Sequence, residues 1–97
     1  MKLSKYLNEN FDTIKQYVSD AEMLRESIIL ELDAINRYKM MAEKAKSPEV
    51  RKVLLHVAEE EKHHIGEFQA MLEKLDPDHT EGLEHGKEDL EDMGIKV

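Results

Sequence analysis

Between residues 20 and 75 the chain carries two apolar stripes built on alternating steps of three and four residues, with only Ser47-Pro48-Glu49 separating them. Such steps keep a stripe on one face of an α-helix. The first runs Leu24, Ile28, Glu31, Ile35, Tyr38, Ala42, Ala45, and the second Val50, Leu54, Val57, Glu61, His64, Phe68, Met71, Leu75. Ser19 or Asp20 supplies an N-cap for a first helix over 20–46, with Glu22 in its first turn. Ser47 as N-cap and Pro48 at the first helical position then start a second over 48–75. So short a connection makes the two helices antiparallel neighbours.

Each stripe is interrupted near its middle by a carboxylate, Glu31 in one and Glu61 in the other. The second interruption lies in Glu59-Glu60-Glu61-Lys62-His63-His64, which holds two overlapping Glu-x-x-His pairs. Residues three apart share a helix face, so either pair can offer an oxygen and a nitrogen to one cation. The apolar pattern selects Glu61/His64, because the neighbours of Glu60/His63 on their face are Val53, His56 and Glu67. Burying even a neutral polar group without a partner costs on the order of 2–7 kcal/mol, so something must compensate the pair on the stripe. Register supplies more. In an antiparallel hairpin, residues level with one another are equidistant from the turn; Glu31 and Glu61 centre on residue 46, Glu31 and His64 on 47.5, both in the turn. Glu31, Glu61 and His64 are therefore expected at one height, midway along helices of about 27 residues or roughly 40 Å.

Composition supports this and limits the function classes. Charged residues make up 37% and aromatics 5% of 97 residues, the profile of amphipathic helices in one small domain over 1–97. A chain this short and charged is expected to complete its core by oligomerising. A net charge of −8 argues against nucleic acid or an anionic membrane as partner, and no apolar run approaches the ~20 residues of a membrane span. With no signal-peptide pattern after Met1, the chain reads as cytoplasmic. The absence of cysteine removes thiolate chemistry and rubredoxin-type iron, leaving oxygen and nitrogen donors for any metal.

Residues 1–18 show no firm period and are expected to form an N-terminal arm, with a short helix from Asp12. Beyond Asp76-Pro77-Asp78, residues 77–97 are polar and interrupted by glycines, so a mobile or oligomer-contacting tail with one weak helix near 87–93 is expected.

Three candidate ligands per hairpin are half of a common set. A di-iron carboxylate site takes a Glu from each of two helices and a Glu-x-x-His from each of two more, which requires four helices. Two hairpins pairing face to face supply them, giving an all-α four-helix bundle with an inter-subunit metal site. Tyr38, seven residues after Glu31 on the same stripe, stands either beside the oxidant or as a plain core tyrosine.

The segments Ile29-Leu30-Glu31-Leu32-Asp33-Ala34-Ile35-Asn36-Arg37-Tyr38 and Glu59-Glu60-Glu61-Lys62-His63-His64 resemble the encapsulated ferritins, a short branch of the ferritin and rubrerythrin superfamily. The resemblance covers roughly residues 20–95. It implies a ferroxidase working inside an encapsulin nanocompartment, with dimers assembled into a ring, commonly a decamer, and di-iron at a dimer interface. By motif position, Glu31, Glu61 and His64 become iron ligands and Tyr38 the nearby tyrosine. Family members can carry acids flanking the first ligand that bind metal on its way in; here Leu30 precedes Glu31, and Asp33 is placed to pair with Arg37. The final Met93-Gly94-Ile95-Lys96-Val97 shows no clear shell-targeting segment, which leaves open a free-standing cargo protein and the cargo-like part of a shell fusion.

Two other functions fit the same residues: a rubrerythrin-like di-iron peroxide scavenger using an external electron donor, and a helical interaction module with a structural metal. His56, Glu60 and His63 read as a solvated face, as do His79, Glu81, Glu84, His85, Glu88 and Asp89 in the tail. Met23, Met40, Met41 and Met71 read as gap-fillers.

Overall fold

The computed structural model describes residues 19–97; the arm expected over residues 1–18, with its short helix, lies outside the described residues. Three helices follow in order: α1 Asp20–Lys44, α2 Pro48–Leu75 and α3 Pro77–Asp92. The first two pack along their length as an antiparallel hairpin, and α3 leaves its far end as a short C-terminal helix.

Local chemistry sets the hairpin's ends. The Ser19 hydroxyl accepts from the Glu22 N–H at 3.1 Å, and that of Ser47 accepts from the Val50 N–H at 3.2 Å, so each helix has one of its orphan donors satisfied at the start. α1 stops at Lys44, two residues short of the expected end at 46. The reason lies across the turn. Arg51 of α2 donates to the carbonyl oxygens of Ala42 at 3.1 Å and Ala45 at 2.9 Å, capping the C-terminal end of α1 with a guanidinium. The cation also suits the negative pole of α1.

The buried stripe is rotated from the expected one. Ile35, Ala42 and Glu61 are inside, but so are Leu30, Ala34, Ala58 and Leu72. Of the expected stripe, Val50, Met71 and Leu75 are 51%, 47% and 49% exposed. Alanines at 34, 42 and 58 leave little bulk between the axes, so the helices meet on their small residues and leave larger apolar side chains beside the contact. Two helices alone cover only a sector of each other, and the rest of the stripe remains on an open flank.

The tail departs most from expectation. In place of a polar segment with a weak helix near 87–93, the chain passes from α2 to α3 through the single residue Asp76, and α3 runs for 16 residues from Pro77 through Gly82 and Gly86. Pro77 stands at the first helical position, where its fixed φ and missing N–H cost nothing, and Asp78 follows in the first turn. At the other end Gly94 adopts φ +79°, its N–H donates to the Glu91 carbonyl at 2.9 Å and that of Ile95 to the Leu90 carbonyl at 2.9 Å. That pair of bonds is a Schellman motif, which terminates a helix on a glycine. The Asp76 carboxylate pairs with Arg25 of α1 at 3.2 Å, and Gln69 of α2 meets His79 of α3 at 3.1 Å, so polar links tie α3 to the hairpin. No residue of α3 is buried.

Candidate metal centre

Midway along the hairpin, Glu31 of α1 and Glu61 and His64 of α2 come together, each offering a ligand atom within 4.8 Å of the others. Among the described residues this is the one such group of three acidic, histidine or cysteine side chains. Ala58, one turn before Glu61, and Leu72, three turns after, are in the hairpin contact and carry Glu61 inward with them. Its side chain is 8% exposed and that of Glu31 16%, whereas the His64 ring, on the margin of the contact, is 45% exposed.

The two carboxylate oxygens and the ring nitrogen gather without a hydrogen bond of ordinary length among them. His64 Nδ1 stands 3.5 Å from Glu31 Oε2 and 3.4 Å from Glu61 Oε2, beyond the 2.7–3.2 Å of an ordinary N–H···O bond. Both Oε2 atoms are buried and have no hydrogen-bond partner. Native proteins rarely leave a buried carboxylate oxygen unsatisfied, because the desolvation cost of a charged group falls on it in full. Oxygen and nitrogen ligands at about 2.1 Å from one ion lie roughly 3–3.5 Å apart, which is the spacing of His64 Nδ1 from each of the two oxygens. Two carboxylates and an imidazole are also a donor set that suits iron, manganese or zinc. The residues fit a divalent cation.

The other candidates sit elsewhere. Tyr38 is half-buried on α1, two turns or about 10 Å beyond Glu31. Asp33 accepts from Arg37 Nε at 2.7 Å. His63 is exposed, and His56 Nε2 touches Glu60 Oε1 on the outer side of α2. Lys62, 2.8 Å from Glu59, holds that exposed carboxyl below its ordinary pKa by a hydrogen bond and by its charge. In α3, His85 Nε2 and Glu81 Oε1 are 3.9 Å apart at the surface. No described helix is long and apolar enough to cross a membrane.

Comparison with known proteins points one way. The family described as Rubrerythrin matches residues 22–94. A ferritin-like-encapsulin shell fusion protein of Pyrococcus furiosus is 50% identical over 77 residues, which are 78% of this chain and 22% of that protein. Two encapsulin nanocompartment cargo proteins of Myxococcus xanthus also match. EncB is 39% identical over 59 residues, 61% of this chain and 37% of its own length; EncC is 35% identical over 71 residues, 73% of this chain and 52% of its own. The matched stretch thus spans from about a fifth to about half of these curated relatives. The crystal structure of the encapsulated ferritin domain from Pyrococcus furiosus shares the fold with a TM-score of 0.75 at 49% identity, over 79% of this chain and 80% of that one.

Proposed function

The chain belongs to the rubrerythrin family and, within the wider ferritin superfamily, to the encapsulated ferritin-like proteins, and from that premise we propose that it is a ferroxidase acting on Fe(II) at a site shared by two copies of the hairpin. The observation that carries this is the pair of buried, unpartnered Oε2 atoms of Glu31 and Glu61 facing His64 Nδ1.

One hairpin supplies two carboxylates and one imidazole, half of the four carboxylates and two imidazoles that a di-iron centre takes from four helices. Two hairpins joined on their open flanks, where Val50, Met71 and Leu75 stand exposed, complete the bundle and double the donor set. Each chain would hold substrate iron through Glu31, Glu61 and His64, with carboxylates neutralising the charge of paired cations and hard oxygens favouring the ferric product. Two Fe(II) ions give one electron each to dioxygen, which with two protons leaves as hydrogen peroxide, and Fe(III) departs to mineralise elsewhere. Tyr38, two turns beyond Glu31 on α1, would be the nearby tyrosine that the family arrangement places close to the oxidant. The residues themselves bind and orient the metal.

A hairpin encloses no mineral cavity, so iron storage calls for a separate shell. The relatives described as encapsulin cargo and as a shell fusion support a place inside an encapsulin nanocompartment, with dimers arranged in a ring such as a decamer. Aerobic Fe(II) oxidation followed by absorbance tests the activity. Wild type and His63→Ala are expected to exceed the buffer rate, and His64→Ala to fall towards it, by at least the roughly 10–100-fold that loss of a mere outer-shell partner costs a metal site. Equal rates in all three would end the ferroxidase reading.

A further inference from the structure

Independently of the ferroxidase reading, we propose that residues 1–18 fold back as an amphipathic helical arm onto the outer side of α1 and occupy the groove lined by Asp33, Asn36, Arg37, Met40, Met41 and Lys44. The groove measures about 510 Å³, and all six residues belong to α1. Among the described residues it therefore has one wall.

Its apolar rim is uncovered. Met40 is 58% exposed, and Ile29, on the same side of the helix, 54%. With 3.6 residues per turn, Ile29, Asp33 and Met40 stand roughly 160–180° round the helix from Glu31. The groove thus looks away from the metal centre, and a second hairpin closing that centre leaves it open.

The arm has the pattern and the length to supply the missing wall. Read with its asparagines it has no firm period, but Leu3, Leu7, Phe11, Ile14 and Val18 taken alone follow at steps of four, four, three and four. Those steps make one stripe on a helix, with Lys5, Glu9 and Asp12 on the other side. A helix this short is marginal in water by itself, so the stripe calls for a surface to pack on. α1 is the surface nearest in the chain. Ser19, with extended backbone at φ −128° and ψ 154°, interrupts the helical course between the arm and α1 and lets the chain reverse there. Eighteen helical residues span roughly 27 Å, which is also the run of α1 from Asp20 to Arg37. Folded back about Ser19, the arm brings Leu3 level with Ile35 and Asn36, inside the span of the groove. The family match begins at residue 22, so the arm lies outside the shared hairpin. Its consequence for assembly is that apolar surface on the side of α1 away from Glu31 is covered, which leaves the flank of Val50, Met71 and Leu75 for the second hairpin.

Two measurements on the full-length, metal-free protein test the proposal. In the first, hydrogen peroxide converts methionines to sulfoxides and mass spectrometry follows each one. Met40 under the arm is expected to react more slowly than Met93, which lies at the end of α3 and is 68% exposed. Leu7→Asp, which puts a charge into the stripe, should abolish that difference, while Glu9→Lys on the opposite side keeps it. In the second, the cysteine-free chain carries the pair Leu3→Cys and Asn36→Cys and is treated with a short bismaleimide. The expected product is a link within one chain, which runs with single chains on denaturing electrophoresis. A link between chains would give the groove to a second copy's arm, and absence of any link would leave the arm out of it; either overturns the proposal, as does Met40 oxidising as fast as Met93. None of these readouts involves iron, so failure of the ferroxidase reading leaves them unchanged.

Discussion

Helices α2 and α3 follow one another through a single residue, Asp76, yet different physics holds them. α2 is secured by packing: Ala58 and Leu72 are 1% and 0% exposed, and that burial is firm enough to carry Glu61 inside with an oxygen unpartnered. α3 buries nothing and is defined by its ends, Pro77 at its start and the Gly94 Schellman motif at its close. Its surface carries Asp78, Glu81, Glu84, Glu88, Asp89, Glu91 and Asp92 against Lys87 alone. A helix with a core can hold a strained functional group; a helix held by its caps and two polar links cannot, and the candidate metal centre lies wholly on the first kind.

The contrast can be broken at the core. Leu72→Ala removes the most buried side chain and is expected to cost about 2–5 kcal/mol, read as a lower urea midpoint for the whole hairpin. An unchanged midpoint would mean that packing does not secure α2. Glu61→Leu sharpens it in the other direction. Without metal, replacing a buried carboxylate that has an unpartnered oxygen should stabilise the chain by about 1–3 kcal/mol, and metal should no longer raise its thermal midpoint. A metal-free Glu61→Leu protein less stable than wild type would show that the carboxylate is part of the fold rather than a tolerated cost. The smallest effect belongs to α3. Gly94→Ala puts a side chain on a positive φ, a strain of about 1 kcal/mol, and should lower hydrogen-exchange protection over residues 87–92 while leaving α2 as it was.

The hairpin was legible because its signals are local: steps of three and four, and Ser47-Pro48 as stop and restart. The meeting of Glu31, Glu61 and His64 was legible because antiparallel pairing fixes heights once the turn is known. Which sector of each helix touches the other was not. The stripe of Val50, Met71 and Leu75 is a property of the sequence, but a lone partner helix closes on the alanines beside it, and no periodicity distinguishes the two. The cap supplied by Arg51 has no local sequence signature, because its partners Ala42 and Ala45 precede it across the turn. In α3 the glycines at 82 and 86, each costing about 1 kcal/mol relative to alanine, argued for a broken segment. The helix forms through them because Pro77 and Gly94 set both ends, a signal spread over more residues than a local propensity window takes in.

The central claim is that Glu31, Glu61 and His64 hold iron only when two chains bring their halves together. Native mass spectrometry of the anaerobic protein loaded with Fe(II), wild type beside His64→Ala, tests it most directly. The account predicts that wild-type iron appears on dimers or multiples of them, as a di-iron pair for every two chains, and that His64→Ala carries none. Iron bound to single chains, or retained by His64→Ala, would contradict it.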